Sequence, residues 1–175
     1  MKNFFITLCI FIPFSLLAQK EKKEQPFFRK HIIHFFAPGF IVGFDTGIMA
    51  GVAYSYRFTP VVALTTTLQG GVDGYGGISR IFIESQFNIW GERRVQFVFS
   101  GGMHLGSTVT RYEQYSKLHY DNAMVGGLNT GIGMEILFGK KRWMTGLYTR
   151  GIFTFGTTSI ISLNLHVQPT IAYRI

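Results

Sequence analysis

Three groups of side chains have the types and spacing to suggest chemistry. Ser116, His119 and Asp121 bring the residue types of a hydrolytic triad within six positions. A triad is defined by geometry, and a single polar loop seldom holds that geometry. His104 and Ser107 offer a base and a hydroxyl, but a separation of three puts them on opposite faces of an extended strand. His31 and His34 share that separation, and no Cys/His cluster adds further ligands, so no metal site is expected. The sole cysteine, Cys9, lies inside an apolar N-terminal run. Gly-Gly pairs at 70–71, 76–77, 101–102 and 126–127 are expected at outer strand ends or beside a loop, where they permit bends and close packing. No glycine-rich phosphate cradle is present. These residues argue against an enzyme, and no cofactor is expected.

The remaining ionisable residues of interest are Arg57, Arg80, Glu84, His104, Glu135, Arg150 and His166. They lie far apart in the chain, so the elements that carry them decide what they can do. Those elements show period-2 alternation, the strand signal. From Ile161 to Ile175 the apolar residues Ile161, Leu163, Leu165, Val167, Ile171, Tyr173 and Ile175 share one parity, and Ser162, Asn164, His166, Gln168, Thr170 and Arg174 share the other. Segments 47–58, 78–90 and 95–106 behave alike, and a helix would need a period near 3.6. Eight strands are predicted: 32–44, 47–58, 61–72, 78–90, 94–107, 123–138, 142–154 and 159–175. Tight turns at 58–61, 91–94 and 139–142 alternate with connections near 45–47, 73–77, 108–122 and 155–158. This is an up-and-down meander with both termini at the tight-turn end, the rhythm of an outer-membrane barrel.

Composition selects the kind of barrel. The chain has 175 residues, enough for one domain. Only 15% of residues are charged while 47% are hydrophobic, with 18 Phe and 8 Tyr, which excludes a disordered chain. A soluble barrel would alternate in the same way but would need a charged outer face. The predicted strands contain no lysine; the polar parity is Gly, Ser, Thr, Ala, Asn and Gln with a few Arg and Glu. Small neutral-polar residues suit the filled lumen of an eight-stranded barrel, and the Ile, Leu, Val, Phe and Tyr of the other parity suit lipid.

The N-terminus reads as an address. Lys2 precedes the apolar run Phe4–Leu17, which ends at Ala18, as in a secretory signal peptide. The run is too short to span a membrane and contains Pro13. Three segments follow: signal peptide 1–18, periplasmic tether 19–30 and barrel 31–175. Cys9 sits inside the apolar core, so lipidation is not expected.

Over residues 31–175 the chain resembles the small OmpX/OmpA-type outer-membrane barrels in strand count, turn rhythm and terminal strand. The resemblance implies an eight-stranded antiparallel up-and-down transmembrane β-barrel in the outer membrane. It also implies a C-terminal signal at Ile171, Tyr173 and Ile175 for the barrel-assembly machinery; that family signal usually ends in Phe, and here it ends in Ile175. Some barrels of this kind modify lipid A through a His-x-Ser motif, which this chain lacks.

Within this frame each group of residues takes a place. Arg57, Arg80, Glu84, His104, Glu135, Arg150 and His166 share the polar parity, so an internal ion-pair network is expected, with Glu135–Arg57 and Glu84–Arg150 as pairs. Phe36, Tyr54, Tyr56, Phe58, Phe97, Phe138, Trp143 and Tyr173 cluster near the turn end as an aromatic girdle at headgroup level. The long loop 108–122 carries Arg111, Tyr112, Tyr115, Lys117, His119 and Tyr120, a mixture enriched at contact sites. The net charge of +8 falls to +7 without Lys2 and gathers in the tether and two turns, which fits membrane lipid better than nucleic acid. The expected role is structural or surface interaction by a monomer with an extracellular partner. The alternatives are small-molecule or lipid passage and, behind it, lipid modification.

Overall fold

The computed structural model describes residues 29–43, 46–73, 76–89, 93–114, 117–139, 142–156 and 161–175. The expected signal peptide, most of the tether and Tyr115 lie outside the described residues. Ser116 lies outside them too, and of 110–114 and 117–120 only the backbone is described.

Eight strands follow in chain order: β1 His31–Gly43, β2 Gly47–Arg57, β3 Val62–Asp73, β4 Gly76–Asn88, β5 Val95–Gln114, β6 Lys117–Phe138, β7 Trp143–Gly156 and β8 Ile161–Arg174. Each pairs antiparallel with its sequence neighbours, and β8 returns to β1, with Ile33 opposite Tyr173, to close the barrel. Closure removes every free edge around the wall, the condition for strands to cross a membrane.

The expected eight-stranded meander is the observed one, with one element differing. The segment 108–122 is not a loop. β5 and β6 continue through it as a hairpin in unbroken register, from Thr108 opposite Ala123 to Gln114 opposite Lys117. Consequently Lys117 lies in a strand. The Gly-Gly pairs 101–102 and 126–127 also lie within β5 and β6 rather than at strand ends. Gly102 stands opposite Glu84, and a Cβ there would meet the Glu84 Cα at 2.8 Å; at Gly127 it would meet the His104 ring at 2.9 Å. Gly102 thus lets the β4 backbone approach closely, and Gly127 makes room for the His104 ring.

β1 carries the one described irregularity. Its register against both β2 and β8 shifts between Phe36 and the residues that follow, where one extra residue is accommodated around Ala37-Pro38. Proline has no N–H for the ladder and is confined to such bulges. The bulge switches parity: Ile32, His34 and Phe36 point inward before it, Gly39 and Ile41 after it. Phe36, expected in the lipid-facing girdle, is therefore buried in the lumen against Ala53, Val98 and Tyr148.

The barrel is inverted relative to a soluble protein. Its wall exposes Ile, Leu, Val, Phe and Met on all eight strands, with Leu105 64%, Leu128 57% and Ile132 56% exposed. Its interior buries Arg57, Arg80, Glu84, Glu135, Arg150 and Arg174 together with Gln, Asn, Ser, Thr and His side chains. Water on the outside would make this pattern costly over every strand; hydrocarbon makes it favourable. Among the described residues no helix is long and apolar enough to cross a membrane, and the strands make the crossing.

Candidate functional site

The lumen is organised around one carboxylate. Glu84 on β4 has no exposed area, and Arg150 on β7 reaches it from across the barrel. Arg150 Nε donates to Oε1 at 2.9 Å and Nη2 donates to Oε2 at 2.6 Å. Asn129 Nδ2 on β6 donates to Oε1 at 2.6 Å, and Ser100 Oγ on β5 at 3.3 Å. The Arg150 guanidinium lies 4.6 Å from the centre of the Phe82 ring and 5.9 Å from that of Phe36. One acidic group thus ties four strands together, and the aromatic faces shield the cation that balances it.

A second set lies nearer the tight-turn end. Tyr148 donates its hydroxyl to Glu135. Arg57 donates to Gln96 Oε1 at 3.3 Å, and Asn88 Nδ2 donates to the same oxygen at 2.5 Å. Arg57, Glu135, His34, Gln86 and Asn88 line a cavity of about 10 Å³, the size of one water. His34 Nε2 lies 2.9 Å from Ser55 Oγ, which lies 2.7 Å from Thr65 Oγ1. A third set lies toward the other end. Gln69 donates to Gln168 at 2.5 Å, and Gln168 donates to the Met49 carbonyl at 2.9 Å. His104 packs against Phe82, with ring centres 5.5 Å apart. His166 stands opposite Arg150 on β8, and Arg80 is buried behind Gly106.

The structure therefore brings Glu84 and Arg150 into direct contact and gathers Arg57 and Glu135 around one small cavity. Tyr148, Gln96, Asn129 and Phe82 escaped the sequence reading, although the parity of β7 places Tyr148 in line with Arg150. Among the described residues no group of three or more His, Cys, Asp or Glu converges. His104 is buried inside, whereas Ser107 is half-exposed and bonds Ser79 Oγ at 3.0 Å.

No protein-family model and no curated protein matches the sequence. Solved structures do match in shape. The N-terminal β-barrel domain of Pseudomonas aeruginosa OprF aligns with a TM-score of 0.63 at 11% identity, covering 84% of this chain and 98% of that one. Neisserial surface protein A gives 0.60 at 8%, covering 83% and 96%. Ail, the attachment invasion locus protein of Yersinia pestis, gives 0.55 at 10%, covering 85% and 100%. With the inverted wall and filled lumen, the fold is decided. The chain is a small eight-stranded outer-membrane-type β-barrel.

The outside of this outer-membrane-type barrel has two distinct ends. At the end of the tight turns, Tyr54, Phe58, Phe97, Phe138 and Trp143 are exposed, and Tyr56 and Tyr173 are half-exposed. Trp143 packs edge-on to Tyr173 with ring centres 4.8 Å apart, Tyr56 likewise to Phe58 at 5.2 Å, and Tyr54 Oη lies 2.5 Å from His31 Nδ1. Rings with one polar edge suit a lipid–water boundary. Ile171 on β8 and Ile175 just past its end are exposed beside this belt. At the other end Arg111 and Tyr112 lie on β5, and Lys117, His119 and Tyr120 on β6, where Arg111 stands opposite Tyr120 and Tyr112 opposite His119.

Proposed function

We propose that this barrel is a closed scaffold of the outer membrane whose β5–β6 hairpin contacts a partner outside the cell. The observation that carries this reading is strand length. β5 has 20 residues and β6 has 22, whereas the other six strands have 11 to 14. β4 leaves β5 at Thr110, paired with Gly76, and β7 leaves β6 at Val125, paired with Gly156. Among the described residues, 111–114 pair only with 117–120, and 121–124 pair only with 107–110 of β5. At ~3.3 Å per residue the eight positions 117–124 run on for ~26 Å. An edge of that length must be covered or used, and its Tyr, Arg and His content suits recognition. The packed lumen supports a scaffold rather than a conduit. Export by the N-terminal signal, assembly through the C-terminal strand and a monomeric state complete the proposal.

The test replaces residues 111–120 by an Asn-Gly turn, joining Thr110 to Asp121, which already face each other. Cells displaying the shortened barrel should keep its heat-modifiable gel mobility and lose adhesion to host-cell or matrix surfaces. Undiminished adhesion by the shortened form would remove the hairpin from the contact. A stable open level for the wild type in planar bilayers would remove the closed scaffold.

A further inference from the structure

The basic side chains whose exposure is described lie, where exposed, at one end. The exposed ones are Lys30, Arg93, Arg94 and Arg142; Arg57, Arg80, Arg150 and Arg174 are buried. Three of the four immediately precede a strand: Lys30 before β1, Arg94 before β5 and Arg142 before β7. Each is fixed by its own carbonyl. Arg57 N donates to the Lys30 oxygen at 2.8 Å, Leu137 N to that of Arg94 at 2.8 Å, and Arg174 N to that of Arg142 at 2.7 Å. The ladder thus extends one step past the strand starts and anchors the backbone of all three residues at this rim.

This rim adjoins the aromatic belt. Arg142 adjoins Trp143, Arg94 lies three residues from Phe97, and Lys30 adjoins His31, which contacts Tyr54. Aromatic rings of this kind settle at the headgroup level, so cations one residue further out meet the phosphate layer. No exposed acidic side chain accompanies them among the described residues; the described exposed acid, Asp121, belongs to the opposite end. Positive charges in excess at this rim, beside amphipathic rings, complement a layer of anionic phosphates.

From this juxtaposition we infer that the tight-turn rim, through Lys30, Arg94 and Arg142, binds the headgroups of anionic phospholipids in the adjoining leaflet. A basic residue near an anionic surface contributes about fivefold, or ~1 kcal/mol, so three contribute on the order of 100-fold. Recognition by charge at an aromatic boundary distinguishes lipid from a soluble acidic partner, which would not need the belt.

Native mass spectrometry of the folded full chain in mild detergent, offered phosphatidylglycerol and phosphatidylcholine with identical acyl chains, tests this. The wild type should retain phosphatidylglycerol preferentially, and added salt should erode the preference. The Lys30→Gln/Arg94→Gln/Arg142→Gln variant should lose it, whereas Arg94→Lys/Arg142→Lys should keep it. Equal retention of both lipids by the wild type, or an unchanged preference in the triple variant, overturns the inference. So does heparin binding to the lipid-free barrel with the same dependence on the three residues, which would assign the rim to a soluble polyanion. Should the triple variant not fold, the wild-type lipid preference and its salt dependence decide.

Discussion

Replacing Glu84 should destabilise the barrel far more than replacing Glu84 and Arg150 together. The Glu84 carboxylate is fully buried and receives two bonds from Arg150, at 2.9 and 2.6 Å, and one from Asn129 at 2.6 Å. In Glu84→Gln the side-chain oxygen can still accept from Asn129, but the new amide N–H group faces a guanidinium that also only donates. Arg150 is then buried without its counter-charge, a loss of about 3–5 kcal/mol. In Glu84→Leu/Arg150→Met both charges go, and the apolar replacements lie against Phe82 and Phe36. Changes of that kind in buried pairs are often close to neutral or stabilising, less about 0.5–2 kcal/mol for the lost cation–ring contact. Equilibrium urea unfolding in phospholipid vesicles, followed by tryptophan fluorescence, measures both variants. At about 2 kcal/mol per molar urea, the single variant's midpoint should fall by ~1.5–2.5 M, and the double variant's should stay within ~1 M of wild type. A shift below ~0.5 M for Glu84→Gln, or a double variant as weak as the two singles summed, would refute the reasoning.

Three further perturbations probe the wall and the lumen. Ile83, exposed on β4, faces hydrocarbon, so Ile83→Arg should cost about 2–4 kcal/mol in vesicles, against about 0–1 kcal/mol for Val95→Arg at the rim; equal costs would argue against a membrane-spanning wall. Tyr148→Phe removes the bond to Glu135 and should cost about 1.5–3 kcal/mol in the same titration. A methyl at Gly133 would lie 2.7 Å from the Tyr148 ring, so Gly133→Ala should cost about 1–3 kcal/mol. That last cost should largely vanish in a Tyr148→Ala background; an undiminished cost there would mean the glycine serves something other than the ring.

Wherever lipid lies on one side and packed polar groups on the other, parity was legible in the sequence. β2, β4 and β8 show it residue by residue: Arg57, Arg80, Glu84 and His166 are inside, Ile48, Ile81, Ile83 and Leu165 outside. Legibility ended where one of those conditions failed. Past Thr110 the hairpin leaves both neighbouring strands. No lipid there enforces an apolar parity, so tyrosines and charges read as loop although the backbone stays paired. At Ala37-Pro38 the extra residue reverses the parity of β1, and Phe36 passes from lipid to lumen. Glu84 and Arg150 are 66 positions apart. Their shared parity was visible, but their meeting depends on the curvature of a closed wall.

The lumen's packing also bears on where activity can reside. Ile32, Leu137, Met144 and Ala172 form an apolar cluster inside the end that holds the termini, and Ile41, Met49 and Ile78 form another inside the opposite end. Between them lie the Glu84–Arg150 pair and its partners, with glycines such as Gly106 and Gly127 making room for the Arg80 and His104 side chains. A solute on a path through the barrel would meet apolar packing at both ends and a buried charge pair between them. An interior of this kind holds the wall rigid. The two proposed contacts lie at its ends, a hairpin that outruns its neighbours and a rim of cations beside aromatic rings.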